Sequence, residues 1–289
     1  MLPRYQELLA TLRRQFPQPV SDPVHDAYFV FTILRALDQV DALKSQMPML
    51  GGPREPDYSK AIGSRLAPTG QSLEAVVPQL VAQLQGMFLW GHPQSQVNVI
   101  THPSIAGIIG VLLASTYNPN LCSDESGRGF SEAEVKASSM AAALVGYDAD
   151  RAGGVFTFGG TGCLFYGIKI GLEKAVPGAM RRGVREPVVV LASEHCHYAV
   201  LNAAGWLGIG QDSVVRVPTH LDNSLDVDCA GQNGARQALA EGKRIAAIVA
   251  TMGSTDAFGL DDLRAYDRYA IYSSTSSSLI TCRTSTLTP

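Results

Sequence analysis

Four short runs after residue 150 are almost wholly apolar: 154–158 (GVFTF), 187–192 (PVVVLA), 213–217 (SVVRV) and 244–250 (RIAAIVA). A strand with one wet face alternates apolar and polar residues, whereas a run without alternation expects cover on both faces. Segments of helical character at 161–175, about 198–206 and 231–241 separate these runs. Repeated strand–helix units of this length predict an α/β domain with a mostly parallel sheet. Ligands of such sheets sit beyond the carboxyl ends of the strands, which points to the turns after Phe158, Ala192 and Ala250.

Those turns hold the polar chemistry. The first is Gly159-Gly160-Thr161-Gly162, opening a helix. The second is Ser193-Glu194-His195-Cys196-His197-Tyr198 and the third Thr251-Met252-Gly253-Ser254-Thr255. A glycine turn at a helix start leaves backbone N–H groups unpaired, and with the helix dipole they suit a phosphate dianion. Glycines at 159, 160 and 162 let a ligand approach without a Cβ in the way, and Thr161 adds a hydroxyl. A tight strand-to-helix turn without any ligand is the plain alternative. A dinucleotide fingerprint fails, because three positions after Gly162 stands Phe165. His195 and His197 lack partners at zinc spacing, and a histidine ending a strand without function is the plain reading of either. No G-x-S-x-G occurs.

The N-terminal part reads as helical, over 4–16, 26–45 and from Ser72 to near Gly86, with Pro78 inside the last; 46–70 is loop. Trp90, His92, Gln94, Gln96 and Asn98 form a polar and aromatic cluster before IAGIIGVLLAS, which predicts a buried helix. Tyr117 to Asn120 predicts a turn. Ser131-Glu132-Ala133-Glu134 is a capping-box pattern that starts a helix at 132 and carries it to about Val145. A formal charge of −3 offers no basic field for nucleic acid or an anionic membrane. No run approaches the ~18 apolar residues of a membrane span. Five scattered cysteines without C-x-x-C predict reduced thiols and a cytoplasmic protein.

Four blocks, GGVFTFGGTGCLFYGIKIGLEKA, ASEHCHYAVLNAAGWLGIG, VRVPTHLDNSLDVD and AAIVATMGSTDAFGLDDL, resemble in order and spacing the pyridoxal-phosphate-dependent group II amino acid decarboxylases. The resemblance covers roughly 87–264. It implies a fold of the aspartate aminotransferase type: a helical N-terminal segment (1–90), a large cofactor domain (91–264, incomplete here), a small C-terminal domain, and an active site shared across a homodimer. It implies pyridoxal 5′-phosphate as cofactor and an amino acid as substrate. Gly160 and Thr161 match the residues that hold the cofactor phosphate, and His197 the catalytic histidine stacked on the pyridine ring. Thr251 matches a threonine close to the cofactor, and Asn120 a substrate-side asparagine. Two departures stand: the third block end reads Gly253-Ser254-Thr255, and Gly162 replaces the usual Glu after the phosphate threonine.

The resemblance also implies a ring-nitrogen carboxylate in an H-x-D-A strand and a cofactor-holding lysine in a later His-Lys pair, both beyond Asp262. Here no lysine follows Lys243, and 273–289 (SSTSSSLITCRTSTLTP) is mostly serine and threonine. Residues 265–289 therefore read as an aberrant, disordered tail, as from a truncated or frameshifted gene. Three functions follow for these 289 residues: a decarboxylase relative that is inactive by itself, a non-catalytic dimerisation partner of a full-length copy, or an unrelated phosphate-ligand α/β protein.

Overall fold

Three of the four apolar runs form strands where the sequence places them: β1 is Val188–Ser193, β2 is Val214–Val217 and β3 is Arg244–Thr251. The computed structural model describes residues 2–13, 16–17, 20–95, 102–265 and 278–282. Gln96 and Asn98 of the polar cluster lie outside the described residues, as do 266–277 and 283–289 of the tail. The chain divides into two compact units, residues 1–119 and 120–289.

The first unit is helical: α1 (Leu2–Arg13), α2 (Pro23–Lys44), the short α3 (Tyr58–Ala61), α4 (Leu73–Ala82) and α5 (Ile105–Tyr117). Asp22 caps α2, accepting from the N–H groups of Val24 and His25. Tyr28 of α2 donates its hydroxyl to Glu74 of α4 at 2.7 Å. Pro78 stays inside α4, which continues past it to Ala82. Helix α5 departs from expectation, for it has no buried residue. Asn118 ends it in the left-handed conformation (φ 45°). No helix among the described residues is long and apolar enough to cross a membrane.

The second unit begins with α6 (Asp124–Gly127) and α7 (Gly129–Leu144). Helix α7 starts ahead of the expected capping box, with Arg128 at the cap position and no side-chain cap bond. Ser131 lies inside the helix, and its buried hydroxyl has no partner among the described residues. Then follow α8 (Gly160–Ala175), α9 (Ala179–Arg182), β1, α10 (Ala199–Trp206), β2, α11 (Val227–Cys229), a π-helical stretch Ala230–Ala235, α12 (Arg236–Ala240) and β3.

The sheet runs β2–β1–β3–β4, all parallel, where β4 is Ser278–Cys282. β1 is buried along its whole length and divides its side chains by parity. Val188, Val190 and Ala192 join α8 and α10 in one core; Val189 and Leu191 join Leu225, Ala230 and Ala238 in another. β3 does the same with one irregularity. Its register against β1 shifts between Val189 and Val190, whose partners are Ile245 and Ala247. Ala246 is the extra residue of a bulge, so Ala246 and Ala247 both face the first core, and alternation then resumes.

Two further expectations need correction. Residues 154–158 are not a strand, and Val155, Phe156 and Phe158 are exposed. No neighbouring strand among the described residues offers them backbone partners, and an apolar run alone does not make a ladder. Conversely, 278–282 lies inside the tail expected to be disordered, yet it pairs with β3 from Ala247 to Thr251. Pairing is a backbone property, and the outer edge of β3 presents N–H and C=O groups to any strand that reaches it.

Helix α8 buries Leu164, Ile168 and Leu172 at four-residue spacing against this sheet. Ile168 is fully buried. Ile168→Ala is expected to lower unfolding stability by about 2–5 kcal/mol, read from denaturant midpoints.

Candidate functional site

The candidate site is built on the start of α8 and the carboxyl ends of β1, β2 and β3. Gly159, at the cap position of α8, has φ +115°, a conformation that a side chain would strain. No side chain caps the helix. Instead the Thr157 hydroxyl donates to the Gly159 carbonyl at 2.8 Å, and Cys163 N–H donates to the same oxygen at 3.2 Å. Among the described residues, the N–H groups of Gly160, Thr161 and Gly162 find no acceptor, nor does the Thr161 hydroxyl. They stand at the positive end of a helix of 16 residues. This donor set fits a phosphate dianion.

The three glycines turn out to have different reasons. Gly159 is required by its φ. At Gly162 a Cβ would fall 2.7 Å from Thr157 Cβ, so glycine there lets the turn pack on the helix. At Gly160, whose φ imposes no such demand, a Cβ would meet nothing within 4 Å, as also at Gly159, so space is open above the backbone. Gly162→Ala is therefore expected to lower stability by about 1–3 kcal/mol in thermal melts. Gly160→Ala should stay within about 1 kcal/mol of the parent or exceed it.

Beyond β1, His195 N–H donates to Ser193 Oγ at 3.1 Å, and His197 begins the approach to α10. His197 Nδ1 accepts from the Ala199 N–H at 3.1 Å, so in the neutral ring the hydrogen belongs to Nε2. The Tyr198 ring lies 4.1 Å from the His197 ring at 33°, occupying one side of the imidazole. Burial raises the Cys196 thiol pKa, with Arg216 opposing it, so this cysteine is held as a thiol. Thr251, the last residue of β3, is level with the end of β1, because Ala192 pairs with Val249 in parallel register. His197 and Thr251 are thus delivered to one edge of the sheet. Asn120 is not joined to them by any hydrogen bond among the described residues; it forms a local turn, accepting from Cys122 N–H at 3.0 Å.

Two carboxylates that sequence reasoning did not single out lace these strand ends together. Glu194 Oε1 accepts from both the N–H and the hydroxyl of Thr219, at 2.9 and 3.0 Å, tying the exit of β1 to that of β2. Asp261 Oδ1 accepts from Leu225 N–H at 2.8 Å, and its Oδ2 from Thr251 N–H at 2.7 Å. The signal in the sequence was thin. Asp261-Asp262 before Leu263-Arg264 reads as a helix cap, and Asp262 does fill that role, accepting from Arg264 N–H at 2.9 Å.

The Thr219 backbone bond, then its hydroxyl bond, hold the Glu194 carboxyl below the usual range. A lowered folded-state pKa contributes stability that is complete above the unfolded value and lost as pH falls through the folded one. Glu194→Gln should therefore flatten the fall of melting temperature between about pH 5 and pH 3 relative to the parent chain.

No family model matches the chain. A glutamate decarboxylase-like protein of Gibberella zeae is 32% identical over 158 residues, covering 54% of this chain and 30% of that protein. An L-2,4-diaminobutyrate decarboxylase of Acinetobacter baumannii is 29% identical over 188 residues, covering 60% and 36%. Among solved structures, the glutamate decarboxylase domain of a diaminobutyrate-pyruvate transaminase and L-2,4-diaminobutyrate decarboxylase from Vibrio parahaemolyticus superposes with a TM-score of 0.80. The match is at 20% identity and covers 92% of this chain and 60% of that one. Oryza sativa TDC with PLP and tryptamine gives 0.75 at 17% identity, covering 91% and 55%. The fold is shared with these proteins, and the chain spans about a third of the length of the curated relatives it matches.

Proposed function

We propose that this chain, a relative of the group II pyridoxal-phosphate-dependent amino acid decarboxylases, binds pyridoxal 5′-phosphate at the start of α8. The observation that carries the reading is the set of donors without acceptors, the N–H groups of Gly160, Thr161 and Gly162 with the Thr161 hydroxyl, below the open space at Gly160. When bound, the cofactor supplies an electron sink for the carbanion left as an amino acid loses carbon dioxide. The residues of this chain hold and orient. Gly160 and Thr161 would take the phosphate, His197 would lie against the ring on the side away from Tyr198, and Thr251 would border it from the end of β3. Asn120 is assigned to the substrate side by resemblance alone.

By themselves these 289 residues are proposed to bind cofactor without turnover. What supports this is that no lysine follows Lys243, where the family's cofactor-holding lysine belongs. Lys169 and Lys174 lie farther along α8, and the Lys169 ammonium is engaged over the rings of Phe165 and Tyr166, 5.9 Å from each centroid. A homodimer and a cytoplasmic setting belong to the same reading. A non-catalytic partner of a longer copy is the second reading, favoured by the uncovered side chains of α5, among them Ile105 and Val111. Native mass spectrometry with and without a full-length relative separates the two.

Titration of the purified chain with pyridoxal phosphate, followed by absorbance, tests the first reading. Thr161→Val should weaken binding about tenfold, the scale of one lost hydrogen bond to a charged group. A nucleotide that binds while pyridoxal phosphate does not would instead favour an unrelated phosphate-ligand protein. Carbon dioxide released from amino acids by the chain alone would overturn the proposed inactivity.

A further inference from the structure

We propose that Asp261 is a positioning residue for the strand-end site, acting through Thr251; the inference rests on the cofactor reading above. The exits of β2 and β3 each form a short return. Thr219 bridges antiparallel to Leu225 after β2, and Met252 to Leu260 after β3. Asp261 closes the second return and reaches into the first. Its N–H donates to the Thr251 carbonyl at 2.9 Å, while its side chain accepts from the N–H of Thr251 at 2.7 Å and of Leu225 at 2.8 Å. Thr251 is thereby gripped on both backbone groups by one residue, and the same carboxylate ties it to a position 26 residues earlier in the chain (251 − 225).

The contact is buried. Asp261 is 4% exposed and Leu225 1%. A second link joins the two returns, since Asn223 Nδ2 donates to the Ala257 carbonyl at 2.9 Å. With Glu194 holding Thr219, the exits of β1, β2 and β3 are connected in series through carboxylates that accept backbone N–H groups. A carboxylate presents acceptors on both oxygens, whereas an amide presents one acceptor and one NH2 group, which would oppose the remaining backbone N–H. The chemistry therefore asks for aspartate here, and its loss should shift the end of β3 relative to the β2 exit.

Glu173 supplies a matched control. In the last turn of α8, away from Gly160, it accepts from Gly178 N–H at 2.7 Å and Met180 N–H at 2.8 Å, the same double contact with no link to the strand ends. The experiment compares the full chain with Asp261→Asn and Glu173→Gln by thermal melting, amide exchange and pyridoxal phosphate titration with induced circular dichroism. Both variants should melt earlier. Only Asp261→Asn should speed exchange at Thr251 and Leu225, weaken pyridoxal phosphate binding about tenfold and change the induced signal. Parent-like binding in Asp261→Asn, or equal weakening in Glu173→Gln, overturns the proposal and leaves the cofactor reading standing. A parent chain that takes up no pyridoxal phosphate removes the cofactor reading and this inference with it. If Asp261→Asn does not fold, Asp261→Glu replaces it, keeping both acceptors one methylene farther out. Weakened binding in a folded Asp261→Glu supports positioning, and parent-like binding overturns it.

Discussion

The parallel pairing of β1 with β3 is the contact on which the second unit depends. Every residue of β1 is buried, and its two faces feed two separate cores. Backbone groups so deep in apolar surroundings must bond to one another, and the ladder with β2 and β3 satisfies them. The bulge at Ala246 keeps that ladder compatible with both cores, because it resets the parity of β3 partway along its length. Strand ends brought level by the same pairing then place His197 and Thr251 at one edge. The candidate site is thus a consequence of how the core is paired.

At that edge, order comes from hydrogen bonds as much as from packing. Glu194 and Asp261 accept backbone N–H groups from neighbouring strand exits, a use of carboxylates that is strong because the acceptor is charged. The start of α8 shows the opposite condition. There donors are left without acceptors among the described residues, beneath a glycine turn fixed by the φ of Gly159 and the packing of Gly162 on Thr157. Satisfied groups hold the loops, and unsatisfied ones are available to a ligand.

Apolar surface without cover is the other notable condition. Helix α5 and residues 154–158 both carry large exposed apolar side chains, Ile105 at 77% and Phe158 at 72% among them. The relatives these residues match are longer proteins, of which the chain spans about a third. Local sequence predicted cover for both segments, since such surface is favourable only when removed from water. Among the described residues that cover is not supplied.

The sequence by itself determined the class of the fold and most of its elements. Uninterrupted apolar runs read as strands covered on both faces, and three of the four do form strands, while the glycine turn before α8 is legible because few residues tolerate that backbone. The turns that hold Gly160, Thr161, His197 and Thr251 were likewise readable, as breaks at the ends of apolar runs, while the resemblance alone singled out His197 and Thr251 within them. Only the tertiary structure decided the rest. Ala246 and Ala247 are the same residue, and pairing with β1 alone makes the first of them the bulge. Asp261 and Asp262 are the same residue too; one caps the next helical turn, while the other holds Thr251 and Leu225. Their roles differ because a side chain's partners are set by which strand ends arrive beside it, and that is fixed by pairing between residues far apart in the chain.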